Sequence, residues 1–187
     1  TIIVFVPPGF ELAPGMATGR CLSLITPDGE RTMKTCLGAA GTLSSQEISV
    51  ADFAGCQWLH VEGYLLFNRG LMGAVLRAGR DAGCRISIDL ASPEVVASAR
   101  DILPDILREF ADLVLANELE AQEAAGTSQE AAALEYLTGL AGFAVVKVGG
   151  RGALLGRGTE RLHVPTERVA KPLDTTGAGD LWAAGFL

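Results

Sequence analysis

Four short apolar runs, residues 57–61, 84–90, 112–116 and 143–148, recur with helix-forming segments between them, and this alternation limits the fold more than any other feature. Each run is bounded by turn or capping residues and reads as a strand. Segment 68–82 carries Leu71, Val75 and Ala78 on one face of a helix. Ser92-Pro93-Glu94 reads as a helix start, a capping hydroxyl followed by proline at the first helical position, and Pro104 is expected to break or kink the helix begun there. Segment 128–140 is alanine-rich and helical in character. Strand and helix alternating at roughly 25 to 30 residues is the pattern of repeated βαβ units. The expected fold is therefore α/β: a three-layer, doubly wound, mostly parallel sheet with helices on both faces. Ligands in such sheets sit at the carboxyl ends of the strands.

Two segments depart from the alternation. Residues 19–26 and 31–37 flank the turn sequence Pro27-Asp28-Gly29-Glu30 and could pair as a hairpin on the edge of the main sheet. A second hairpin is expected from 153–155 and 161–164, joined through 156–160.

The segment Asp174-Thr175-Thr176-Gly177-Ala178-Gly179-Asp180, followed by the apolar run 181–187, has the makings of an anion site with its own base. Glycines flanking an alanine allow a tight turn whose N–H groups aim at one point, and the helix starting there adds its positive end. Asp180 beside bound phosphate makes sense if it takes a proton from another group, such as a substrate hydroxyl. The plainer reading is that Asp174 or Thr176 caps a helix and the glycines make the turn.

Asn117-Glu118-Leu119-Glu120 also carries two readings. Asn117 as N-cap and Glu120 at the third helical position form a capping box. An amide and a carboxylate are equally suitable hard oxygen donors for magnesium, which keeps most of its own waters. Both readings can hold together. Lys147, at the end of the last long strand, is followed by Gly149, Gly150 and Gly152; it could reach a triphosphate, or the stretch could be a glycine hairpin with a solvated lysine.

Composition narrows the partners. At 187 residues, 49% hydrophobic and 20% charged, the chain is long and apolar enough for one domain with an ample core. A formal charge of −7 argues against nucleic acid or an anionic membrane as the main partner, and no run of about 18 apolar residues marks a membrane span. The short opening run 1–6 lacks a preceding basic region and meets Pro7-Pro8, unlike a secretory signal. Cys21, Cys36, Cys56 and Cys84 are too widely spaced for a zinc site and suit small thiols in a reducing cytoplasm. The chain opens on Thr1 and stops at Leu187 inside an apolar helical run, which predicts a piece of a longer protein, a single domain over 1–187 incomplete at both ends.

The heptapeptide 174–180 with the run that follows it resembles the signature of the ribokinase-like (PfkB) family of carbohydrate and nucleoside kinases, unbroken apart from Trp182 where phenylalanine is commoner. The resemblance extends over about 18–187. It implies an ATP-dependent kinase acting on a hydroxyl of a small sugar or nucleoside. Asp180 would be the catalytic base and Gly177, Ala178 and Gly179 the anion hole. Asn117 and Glu120 would serve magnesium and phosphate, the latter largely through metal-bound waters. Lys147 and Gly149, with Gly152 in the same stretch, would line the nucleotide phosphates. Asp174 and Thr176 match positions that help hold a monovalent cation such as potassium. The region 18–40 is similar to a small β lid over the acceptor, through which a homodimer could form. Residues 27–39 and the run His60-Val61-Glu62-Gly63-Tyr64-Leu65 look closer to adenosine-kinase-like bacterial members than to fructokinases. The family's amino-terminal acceptor motif and carboxy-terminal adenine region have no counterpart in the chain, and residues 1–16 have no assigned place in the resemblance. A non-catalytic nucleotide- or sugar-binding protein on the same fold is the competing expectation. A dinucleotide-dependent oxidoreductase is disfavoured, since no glycine fingerprint follows the first strand.

Overall fold

The structure, a computed structural model, describes residues 13–26, 31–167 and 175–187. Near the start, β1 (Arg20–Ile25) and β2 (Arg31–Cys36) pair antiparallel in register from Arg20↔Cys36 to Ile25↔Arg31. Among the described residues they form a two-stranded sheet of their own, and the hairpin does not pair with the main sheet. Every residue of β1 is exposed. The turn sequence at 27–30 lies outside the described residues.

Among the described residues the main sheet has six strands in chain order: β3 (Trp58–Glu62), β4 (Arg85–Asp89), β5 (Leu113–Asn117), β6 (Ala144–Lys147), β7 (Ala153–Arg157) and β8 (Glu160–Val164). Neighbours from β3 to β6 pair parallel, with helical crossovers between them, and β7 pairs antiparallel with both β6 and β8. The short turn after β6, Gly149–Arg151, is too brief for a crossover, so the chain folds back and the second predicted hairpin extends the main sheet. Its loop is tighter than expected: Gly156 is paired within β7.

Among the described residues, six α-helices occupy the predicted segments. In α1 (Arg69–Asp81), Asn68 Oδ1 caps Leu71 N at 3.1 Å. In α2 (Pro93–Ser98), Ser92 Oγ caps Val95 N at 3.2 Å and Pro93 fills the first turn. The break foreseen near Pro104 occurs before it: α2 ends and α3 (Leu103–Phe110) begins anew, with Pro104 in a first turn where no N–H is needed. Then come α4 (Glu118–Ala125), α5 (Glu130–Leu140) and α6 (Ala178–Phe186).

Successive side chains of a strand face opposite ways, and both faces here are used. Leu59, Val61, Ile86, Ile88, Val114 and Val146 join a large core with apolar residues of α1 to α5. Leu113, Leu115 and Val145 face the other way, onto Ala183 of α6, with Trp182 and Phe186 packed alongside. That gives a helix–sheet–helix architecture. No helix among the described residues is long and apolar enough to cross a membrane.

Candidate active site

Four polar side chains stand at the carboxyl ends of the parallel strands, in register: Glu62 beside Asp89, and Asn117 beside Lys147. Apolar strand interiors give way to polar residues here because the chain leaves the packed layers.

Lys147 Nζ reaches over β5 to Asp89 Oδ2 at 2.8 Å, and the two side chains are only 18% and 14% exposed. Asp89 Oδ1 accepts the N–H of Ala91 at 3.0 Å. Ala91 has φ 68, the one non-glycine residue with positive φ among those described.

Asn117 ends β5 and caps α4. Its Oδ1 accepts from Glu120 N at 2.8 Å, while its own N–H donates to Glu120 Oε2 at 2.7 Å and its amide Nδ2 to Oε1 at 2.7 Å. The predicted capping box is therefore complete. Glu120 is 3% exposed. Burial pushes its pKa up to about 7, opposed by the Asn117 hydrogen bond, reinforced by the Asp89 carboxylate and eased by the Lys147 ammonium.

The glycine turn opens α6. Gly177 takes the cap position at φ 74 and ψ 6, a left-handed conformation glycine adopts without steric cost. A residue without a side chain thus occupies the cap, and the turn is closed by Ala178 N donating to Thr175 O at 3.1 Å. Asp180 lies in the first helical turn, exposed, and Thr176 lies in the exposed turn before it. Asp174 is outside the described residues. The turn meets the strand ends at Gly179: a methyl group added there would stand 3.5 Å from Lys147 Nζ.

Gly149 and Gly152 bracket the turn after β6, closed by Val148 N to Gly152 O at 2.8 Å and Gly152 N to Gly149 O at 3.0 Å. Asp180, Gly179, Lys147, Asn117 and Glu120 therefore converge on one end of the sheet. Magnesium suits this donor set only if it retains its waters: Glu120 and Asn117 already satisfy each other, and a hydrated ion needs just one or two carboxylates alongside phosphate oxygens.

Sequence reasoning missed three groups here. Asp89 falls inside the apolar run 84–90 read as a strand, and its partner is distant in the chain. His60 Nδ1 and Ser87 Oγ lie 2.5 Å apart across β3 and β4, with Ser87 fully buried. Burial pushes the His60 pKa down, opposed by Asp89, with Lys147 reinforcing and Asp180 opposing. A polar pair among strand residues was the available signal.

Known proteins share this arrangement of elements. Adenosine kinase from Schizophyllum commune is 29% identical over 92% of this chain and 56% of its own length. The crystal structure of adenosine kinase from Sinorhizobium meliloti superposes with a TM-score of 0.83 at 32% identity, over 90% of this chain and 53% of that one. A putative Ribokinase II from E. coli, solved in complex with ATP and Mg+2, gives a TM-score of 0.74 at 27% identity over 89% and 56% of the two chains. The fold is thus ribokinase-like, and the chain spans about half the length of the relatives it matches. The family model for pfkB family carbohydrate kinases matches residues 10–187, and the chain belongs to that family.

Proposed function

We propose that the protein transfers the γ-phosphate of ATP to a hydroxyl of a sugar or nucleoside, with adenosine-like acceptors favoured by the adenosine kinases it resembles. The observation that carries this reading is the junction of the Gly177 turn, Asp180 and the Lys147 ammonium. The hydroxyl oxygen attacks phosphorus, the bond to the β-phosphate oxygen breaks, ADP leaves, and Asp180 takes the hydroxyl proton. Amides at the amino terminus of α6 and the Lys147 ammonium stabilise charge on the transferred group. Gly149 and Gly152 let the backbone approach the nucleotide phosphates. Magnesium, when bound with the nucleotide, neutralises phosphate charge; Glu120 and Asn117 would hold its waters. Thr176 with Asp174 would serve a monovalent cation such as potassium.

The hairpin of β1 and β2 is the acceptor's lid within a single domain. Leu22, Leu24 and Met33 are exposed on it, and a two-stranded sheet is marginal alone, so a second copy could cover it.

The test is ADP release by the full-length gene product with adenosine, ribose, fructose and 2-keto-3-deoxygluconate. Asp180→Asn should lower turnover by about two to four orders of magnitude while leaving ATP affinity nearly intact. No acceptor-dependent turnover despite nucleotide binding would make this a binding protein instead.

A further inference from the structure

A cation beside a helix amino terminus is electrostatically misplaced, because both are positive. The Lys147 ammonium nevertheless ends at the first turn of α6, 3.5 Å from where a methyl group on Gly179 would stand. Asp89 holds it there at 2.8 Å across an intervening strand. That carboxylate is itself fixed at its other oxygen, by the N–H of Ala91. Ala91 is in a left-handed conformation that an alanine keeps only where its surroundings over-determine it. Two positive groups brought together and pinned by a fixed carboxylate form an arrangement that an anion between them would complete.

We propose that Asp89 is a positioning residue for phosphoryl transfer: it holds the Lys147 ammonium at the amino terminus of α6, so that both converge on one phosphate of the nucleotide. This rests on the reading of the α6 turn as the phosphate site. Asp89 acts through Lys147; it does not touch the transferred group.

The experiment uses the full-length gene product and its Asp89→Asn, Lys147→Met and doubly substituted variants, each checked for an intact melting transition. Acylation of Lys147 is followed by mass spectrometry with and without ATP, in EDTA so that metal plays no part. ATP should protect Lys147 in the parent protein, and Asp89→Asn should reduce that protection at least threefold. With the acceptor that supports turnover, Asp89→Asn should lower kcat about ten-fold without raising the KM for ATP, and by less than two-fold in the Lys147→Met background. Absence of protection in the parent would remove Lys147 from the phosphate site, and this proposal with it. Equal protection in Asp89→Asn, or a kcat loss that persists fully without Lys147, would overturn the role of Asp89 alone.

Discussion

Glu120 gives both carboxylate oxygens to Asn117: Oε2 to the backbone N–H and Oε1 to the side-chain amide, each at 2.7 Å. The same two residues that would attend magnesium therefore also start α4, and their structural role can be measured without any ligand.

Asn117→Ala should be costly. It removes the cap on Glu120 N and strips one partner from a carboxyl group that is 3% exposed. Loss of an N-cap costs about 1 kcal/mol, and an unpaired buried polar group about 1–3 kcal/mol more. Urea denaturation should register a total of roughly 2–4 kcal/mol. A change below about 0.5 kcal/mol would show that the box is dispensable to the fold.

Glu120 sets a pH dependence of definite sign. Its folded pKa, about 7, lies above the ordinary 4.5, so the folded state keeps a proton that the unfolded state releases. Its contribution is fully present below pH 4.5 and is lost as pH rises through about 7. In metal-free buffer, the stability of Glu120→Gln relative to the parent should thus improve between pH 5 and pH 8, by at most about 3 kcal/mol. A difference independent of pH would mean that Glu120 is charged throughout.

Glycines of α6 should respond in opposite directions. Gly177 sits at φ 74, where alanine is strained by about 1–2 kcal/mol. Gly177→Ala should destabilise by that amount and also misplace Asp180, lowering turnover more than ten-fold. Gly185 is exposed near the end of the same helix with nothing within 4 Å of an added methyl group. Gly185→Ala should stabilise by about 0.5–1 kcal/mol with turnover unchanged. Equal kinetic effects from both would deny the turn its special place.

How much of the fold and site was legible in the sequence depended on range. Buried parallel strands read as continuous apolar runs, so the runs at 57–61, 84–90, 112–116 and 143–148 contain or overlap β3 to β6. Asn117 and Glu120 are three residues apart, and a local motif can declare itself. Gly177 is likewise local. Asp89 and Lys147 lie 58 residues apart and meet only because β5 separates their strands by one position, which no spacing rule reveals. The first hairpin left its place open for another reason. Both faces of β1 are exposed, so no buried face imposes an alternation that could attach it to a sheet.

His60 offers the last test, with a sign opposite to that of Glu120. Its ring lies on the sheet face toward α6, bonded to a fully buried Ser87, with Asp89, Lys147 and Asp180 as the surrounding charges. Burial is the largest influence and holds its pKa below the ordinary 6.5, so the unfolded chain takes up this proton first as pH falls. The contribution of neutral His60 is complete above pH 6.5 and is lost as pH drops through 6.5 toward the lower folded value. The parent should therefore lose more melting temperature than His60→Asn between pH 7.5 and pH 5.5, and the two curves should converge at the acid end. Ser87→Ala, which leaves Nδ1 without its buried partner, should cost about 1–3 kcal/mol at pH 7.5. Parallel curves for parent and His60→Asn would mean that the Asp89 and Asp180 carboxylates offset burial and that the ring titrates as it does in water.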